Sequence, residues 1–364
     1  MSKSYRKARS FTRRDFMKVS AGFGAGAGLL VACGPKATEL IQPTQVPVEP
    51  TENLMPETTD LIYGAWGPQW FSAVRQYVAL DKGWYAEEGI ESVDIVIPGE
   101  QQIFPGLIGG SLNIAQHDTD GIASAVIQGE PIYMIGNNAD KEPWLFCVAP
   151  GIETVDDLKG LDVSGGSAGS RNEANGMEML RQLGMEDPEN DVNWVPVSGG
   201  SDARVEAVAA GILGGCVCFT RHRVILNELG GKVLYDELAP NPQNGFCAHG
   251  TWMEKNERTL VVFLKTMLRA NQLILDLSTK DYVIQVLEAN DYEMPQEFID
   301  DYENSIALFS DYLTFDPASM EKTLKQSADL GLISREIDWK EFCRFEYLNQ
   351  ALDELGMGEH KMAI

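Results

Sequence analysis

The densest run of ligand-holding groups in this sequence is Gly165-Gly166-Ser167-Ala168-Gly169-Ser170, which leads directly into a helical pattern at Arg171. Unshielded backbone N–H groups, the hydroxyls of Ser167 and Ser170 and a helix N-terminus together suit an anionic or carbonyl group. Four other segments share this setting, each following a short apolar run. They are 66–70 with Trp66, Gln69 and Trp70, 116–120 with Gln116, His117 and Asp118, 198–202 with Ser198 and Ser201, and 220–223 with Thr220, Arg221 and His222. Arg171 and Arg221 offer charge-assisted hydrogen bonds, and the tryptophans offer faces for a planar ligand. Ordinary turn glycines, surface arginines and core aromatics would give the same pattern. His117 and His222 are expected in equivalent turns, facing one another; with no metal-ligand spacing around them, hydrogen bonding to a bound molecule is expected ahead of metal ligation with Asp118 or Cys218.

A second chemistry is open at the same place. Gly165-Gly166-Ser167-Ala168-Gly169 satisfies G-x-S-x-G between a strand and a helix, and Asp236 and His249 follow in the order a serine nucleophile would need. No HGGG-type segment accompanies it. Of the cysteines beyond Cys33, Cys147, Cys216, Cys218, Cys247 and Cys343 are odd in number and form no even framework, so a disulfide scaffold is not expected. Cys216 and Cys218, two apart on an expected strand, share one face; such a pair could bind a metal, and small buried core thiols are the reading expected ahead of it.

The elements that position these groups alternate. Strands are expected at 61–65, 92–97, 112–116 and 132–135, with helices at 72–82, 101–108 and 121–128 between them, and such alternation implies a parallel sheet. The order then recurs: strands at 161–164 and 193–197, helices at 171–183 and 202–210. Gly106-Leu107-Ile108-Gly109-Gly110-Ser111-Leu112-Asn113 matches Gly211-Ile212-Leu213-Gly214-Gly215-Cys216-Val217-Cys218 at an offset of 105, which sets His117 against His222. Two similar α/β lobes facing each other are therefore expected. Segments 144–149 and 245–251 are read as the crossings between them. Five helices, at 260–277, 280–289, 296–309, 318–330 and 339–355, follow.

Ahead of the lobes, Thr12-Arg13-Arg14-Asp15-Phe16-Met17-Lys18 is a twin-arginine core followed by a weakly apolar run too short to span a bilayer. It ends Leu30-Val31-Ala32-Cys33, which resembles a lipobox, so 1–32 reads as a signal peptide and Cys33 as the lipidated residue. Residues 33–59, with Pro35, Pro43, Pro47, Pro50 and Pro56, form a leash reaching about 70 Å in polyproline form. Loss of residues 1–32 removes seven basic residues and one acidic one, taking the net charge from −25 to about −31 and excluding nucleic-acid binding.

Three further segments carry a family resemblance: Val78-Ala79-Leu80-Asp81-Lys82-Gly83-Trp84-Tyr85-Ala86-Glu87-Glu88-Gly89-Ile90, the Gly-rich turn before the third strand, and Val155-Asp156-Asp157-Leu158-Lys159-Gly160. With the lobe order, the chain after residue 60 resembles the solute-binding proteins of ABC importers, in the group of nitrate, taurine and alkanesulfonate binders and thiamine-pyrimidine-precursor (NMT1/THI5-like) binders. The resemblance implies a type II periplasmic-binding-protein fold, with 60–146 plus 248–364 as one lobe and 147–247 as the other. It implies a monomer without cofactor, metal or catalysis that closes on one small anionic or planar polar solute and docks on an ABC permease, held outside the cell by lipid. It also places Cys147 near Cys247 at the hinge, with no bridge expected between them. A pyrimidine-synthase relative stays open through Gly215-Cys216-Val217-Cys218-Phe219.

Overall fold

The computed structural model describes residues 55–65, 72–141, 144–237, 240–292, 294 and 296–363. The export segment, Cys33, linker residues 33–54 and the candidate residues Trp66, Gln69 and Trp70 lie outside these. Ten strands and nine helices of eight or more residues make up the described part. The first lobe opens β1 (Asp60–Gly64), α1 (Val74–Asp81), β2 (Ser92–Val96), α2 (Glu100–Gly109), β3 (Ile114–Asp118), α3 (Thr119–Ile127) and β4 (Ile132–Lys141). The second holds β5 (Trp144–Val148), β6 (Asp162–Ser164), α4 (Arg171–Gln182), β7 (Asn193–Trp194), α5 (Gly200–Ala209), β8 (Gly215–Phe219) and β9 (Lys232–Tyr235). Then come β10 (Pro240–His249), α6 (Glu257–Leu275), α7 (Lys280–Ala289), α8 (Pro317–Asp329) and α9 (Glu346–Glu354).

These strands form two five-stranded sheets, β2-β1-β3-β10-β4 and β7-β6-β8-β5-β9. In each, four strands run parallel and one central strand, β10 or β5, runs against both neighbours. The two-lobe α/β expectation is met, and the sheets repeat one topology. The crossings lie earlier than expected. Trp144 to Val148 is a central strand of the second sheet, and Gly245 to His249 belongs to the first. The chain changes sheet between Lys141 and Trp144 and returns between Tyr235 and Pro240. The five residues of β5 are all buried, as expected of an apolar run flanked on both edges.

That placement decides the cysteines. β5 lies against β8 with Cys147 opposite Cys216 and Leu145 opposite Cys218, and a disulfide joins Cys147 to Cys218 diagonally, Cα–Cα 6.5 Å. The expectation that the chain carries no disulfide, with Cys218 a buried thiol, is corrected. Cys147 is also not beside Cys247: it is in the second sheet, whereas Cys247 is a free buried thiol of the first on β10, and no bridge joins the two.

The repeat is real but its register differs. Gly64 pairs with Ala115 in the first lobe, and Ser164 pairs with Cys216 in the second, so strand equivalence runs at an offset of 101. The left-handed glycine closing α2 is Gly110 (φ 76°), and its counterpart after α5 is Gly211 (φ 68°), at the same offset. The Gly-Gly pairs therefore do not correspond: Gly109-Gly110 ends a helix, while Gly214-Gly215 enters a strand. His117 corresponds to Cys218, not to His222.

A broad core under the first sheet is built from both its strands and the C-terminal helices, notably Val261, Phe263 and Leu264 of α6. Two of the expected long helices break. At 339–355, Cys343 bridges to Met134 on β4 and the Arg344 N–H donates to Met134 O (2.8 Å), which interrupts the helix before α9. At 296–309 two five-residue helices, Gln296–Asp300 and Tyr302–Ile306, replace one long helix, and the chain beyond runs along β4, where the Asn137 N–H donates to Leu313 O (2.6 Å). Among the described residues no helix is long and apolar enough to cross a membrane.

At the first crossing, burial pushes the Asp140 carboxyl up to about 6, partly offset by Lys141. A folded-state value above the unfolded one means the folded protein binds the extra proton between about pH 4 and 6, so stability is lost as pH rises through that window. Asp140→Asn is expected to be more stable than wild type by about 1–2 kcal/mol near pH 8, discounted for partial exposure, and equal to it near pH 4. Urea midpoints at the two pH values check this.

Candidate functional site

In the first lobe β3 passes straight into α3, so His117 and Asp118 are strand residues rather than a loop. His117 is buried and stacks on Phe104 with centroids 4.2 Å apart. Gly121, one turn into α3, leaves it room: a β-carbon there would meet the imidazole at 2.5 Å. Gln116 is fully buried and donates through Nε2 to Asn244 Oδ1 (2.8 Å), which Asn138 Nδ2 also reaches (2.8 Å). Arg75 on α1 extends this network, donating to the Asn138 side chain and to Asn271 Oδ1 (2.8 Å), with its guanidinium over the Phe309 ring at 3.9 Å. These groups brace the strand ends of the first sheet.

In the second lobe the Gly-rich segment forms a tight turn over the end of β6. Gly166 has φ 105° and donates to Ser164 Oγ (3.2 Å). Ser170 is the N-cap of α4, accepting the Glu173 N–H (3.4 Å) while Gly169 N–H donates to Glu173 Oε1 (3.0 Å), a reciprocal cap. Ser167 is exposed on the turn, as is Ser198 beyond β7. Ser201 is buried and accepts from Arg221 Nη2 (3.1 Å); Thr220 is buried beside β8. Arg221 also pairs with Asp202 (3.3 Å) and lies 4.6 Å over the Phe219 ring.

His222 closes the turn after β8. Its Nδ1 accepts the Phe219 N–H (3.0 Å), which leaves the proton on Nε2 to donate to Asp202 Oδ1 (2.6 Å). Burial holds its pKa below the usual histidine value despite Asp202. This histidine is an element of the turn, tied to the lobe's own groups.

The two lobes meet at Arg171, the first residue of α4. Its Nη2 pairs with Asp120 Oδ2 in the first turn of α3 (2.5 Å) and donates to Ser327 Oγ on α8 (2.5 Å), while Ser327 donates to Asp120 Oδ1 (2.6 Å). Alongside, Gln326 Nε2 donates to Asn175 Oδ1 (3.1 Å), and a groove of about 530 Å³ runs between α4 and α8, past Gln182 and Asn241. Asp120 closes the candidate segment 116–120 but was not singled out within it, and Ser327 was missed because it lies on a C-terminal helix away from every candidate turn.

Arg204 was also missed. It is 4 % exposed, on the buried stripe Ser201, Arg204, Val205 and Val208 of α5, and donates through Nε to Val217 O (3.0 Å). A charged side chain on an otherwise inward-facing stripe was the available signal.

The serine-nucleophile arrangement is not assembled. Asp236 pairs with Arg223 (3.0 Å), and His249 accepts the Thr251 N–H through Nδ1. His249 pairs with Ile132 at the start of β4, the opposite sheet edge from the one carrying the strand-end turns. Cys216 and Cys218 lie on a buried strand, one with its thiol pushed up to about 12 by burial, the other in the disulfide. Among the described residues no group of three or more His, Cys, Asp or Glu side chains is arranged to hold a metal ion.

The model of the NMT1/THI5-like family matches residues 70–277, more than half of the sequence and every strand of the second lobe. The chain belongs to the NMT1/THI5-like family. Among solved structures, this NMT1/THI5-like chain is similar to a putative periplasmic sulfonate-binding protein, SsuA, from Methylobacillus flagellatus KT, at TM-score 0.66 and 14 % identity over 83 % of this chain and 96 % of that one. It is also similar to the nitrate-binding protein NrtA of Synechocystis PCC 6803 (TM-score 0.60, 16 %, 83 % and 90 %). The aliphatic sulphonate-binding protein SsuA of Escherichia coli matches at TM-score 0.58 and 20 %, over 79 % and 92 %. A search of curated sequences returns no match. These likenesses establish the periplasmic-binding-protein fold for the NMT1/THI5-like chain.

Proposed function

We propose that this protein is the extracytoplasmic solute-binding component of an ABC importer, capturing a small anionic or planar polar solute between its lobes and passing it to a membrane permease. The bridge from Arg171 to Asp120 and Ser327 carries the reading: an ion pair joining two lobes at their strand-end turns forms only when the lobes approach, as a receptor that closes on a guest requires. The sulfonate and nitrate binders sharing the fold support the solute class. Of the candidate residues, Ser167, Ser198 and Arg221 are exposed at the turns of the second lobe, and Gly166 is buried in the Gly-rich bend. Export by the twin-arginine segment and acylation at Cys33 would hold the monomer at the membrane face, within reach of its permease through the linker. The protein needs no catalysis of its own, since binding and closure suffice.

A thermal-shift screen of sulfonates, nitrate, carboxylates and pyrimidines tests this, because a solute binding only the folded form raises the melting temperature. At least one class is expected to do so and to compact the protein in small-angle scattering. Arg171→Gln, which removes the bridge, is expected to weaken that solute roughly 5-fold through the closure equilibrium. A screen without a single stabilising solute would sink the proposal.

A further inference from the structure

We infer that the solute carries an anionic group and that Arg204 receives it, at the Gly166 turn of the second lobe. The inference rests on the receptor reading above and names the ligand class of that site. Arg204 is 4 % exposed, yet among the described residues no carboxylate pairs with it. Among the described residues its one hydrogen bond is from Nε to the main-chain oxygen of Val217, which fixes the plane of the guanidinium and leaves both amino groups to serve elsewhere. The nearest acid in sequence, Asp202, is taken by Arg221 (3.3 Å) and His222 (2.6 Å). Asp202 therefore acts on Arg204 only through space, and the buried Cys216 thiol beside it stays protonated and brings no charge.

A buried cation without a counter-ion is costly, and folded proteins keep one where a partner arrives to neutralise it. The direction of approach is fixed by Gly166. A β-carbon at that position would come within 3.0 Å of Arg204 Nη1, so the bare glycine is what lets the guanidinium reach the turn. Gly166 holds φ 105°, a conformation open to glycine, at the strand end where ligands of open α/β sheets bind. A planar fork set at that edge matches the paired oxygens of a carboxylate, sulfonate or nitrate, and a neutral heterocycle would leave it unneutralised.

Calorimetric titration of the full folded chain with methanesulfonate, nitrate and acetate, and with uracil as the neutral probe, tests the assignment. Wild type is expected to bind at least one of the anions. Arg204→Gln should weaken that anion at least 30-fold while its solute-free melting temperature stays equal or rises, because an uncompensated buried charge has been removed. A merely structural arginine would lose stability on the same change. Arg204→Lys, which keeps the charge without the fork, should fall between the two and serves if the glutamine variant does not fold. Anion binding that survives in Arg204→Gln, or wild-type binding confined to uracil, overturns the assignment while leaving a receptor. Wild type that binds no probe overturns the receptor reading beneath it.

Discussion

Replacing Cys147 and Cys218 together with alanine is expected to destabilise the second lobe by about 4 kcal/mol, the closure entropy of a loop of this size. The bridge spans 71 residues of sequence and ties β5 to β8 in the centre of the second sheet. Both strands already exchange hydrogen bonds over five register pairs, so the lobe should still fold without the bridge and lose stability, not topology. Trp144 and Trp194 report on that lobe by fluorescence, and urea unfolding with and without reductant should shift the transition they follow. The first sheet, whose Cys247 is a free buried thiol, should unfold at an unchanged midpoint. Coincident midpoints for oxidised and reduced protein would show that the bridge contributes nothing. A structural disulfide also fits the extracytoplasmic location of the proposal, since reducing compartments do not retain such bonds.

The parts of this architecture that were legible in sequence are those set by local pattern. Apolar runs ending in Gly-rich or polar turns placed β1, β2, β6 and α4 within a residue or two, and their recurrence gave the two lobes. What stayed hidden depends on which distant strands become neighbours. Nothing local in Trp144-Leu145-Phe146-Cys147-Val148 says that it enters the second sheet between β8 and β9, and without that its cysteine has no visible partner. The histidine pairing failed for a related reason. The glycines that align at an offset of 105 have different backbone duties, and the left-handed pair Gly110 and Gly211 sets the true register. At the candidate site, residue types announced the Gly-rich turn, but Ser170 proved to be the cap that holds α4 and Arg171 the link across to Asp120. Arg204 was concealed inside a helix, where only its place on the inward stripe marks it.

Gly165→Ala is expected to damage both the lobe and its site. A β-carbon at 165 would lie 2.3 Å from Glu173 Cα and 2.6 Å from Glu173 N, main-chain atoms of α4 that no side-chain rotation can withdraw. Either the turn or the helix must retreat, at a cost of about 3 kcal/mol. Retreat also separates Ser170 from the Glu173 N–H it caps, shifts Gly166 relative to Arg204, and moves Arg171 away from Asp120. Affinity for the solute should therefore fall roughly 10-fold or more, even at temperatures where the variant is folded. Gly109→Ala is the matched control: nothing lies within 4 Å of its added carbon, so stability should change by less than about 0.5 kcal/mol with binding intact. Equal urea midpoints for the two variants would mean that the turn does not pack on α4 as closely as the geometry requires, and the positioning of Gly166 over Arg204 would lose its support.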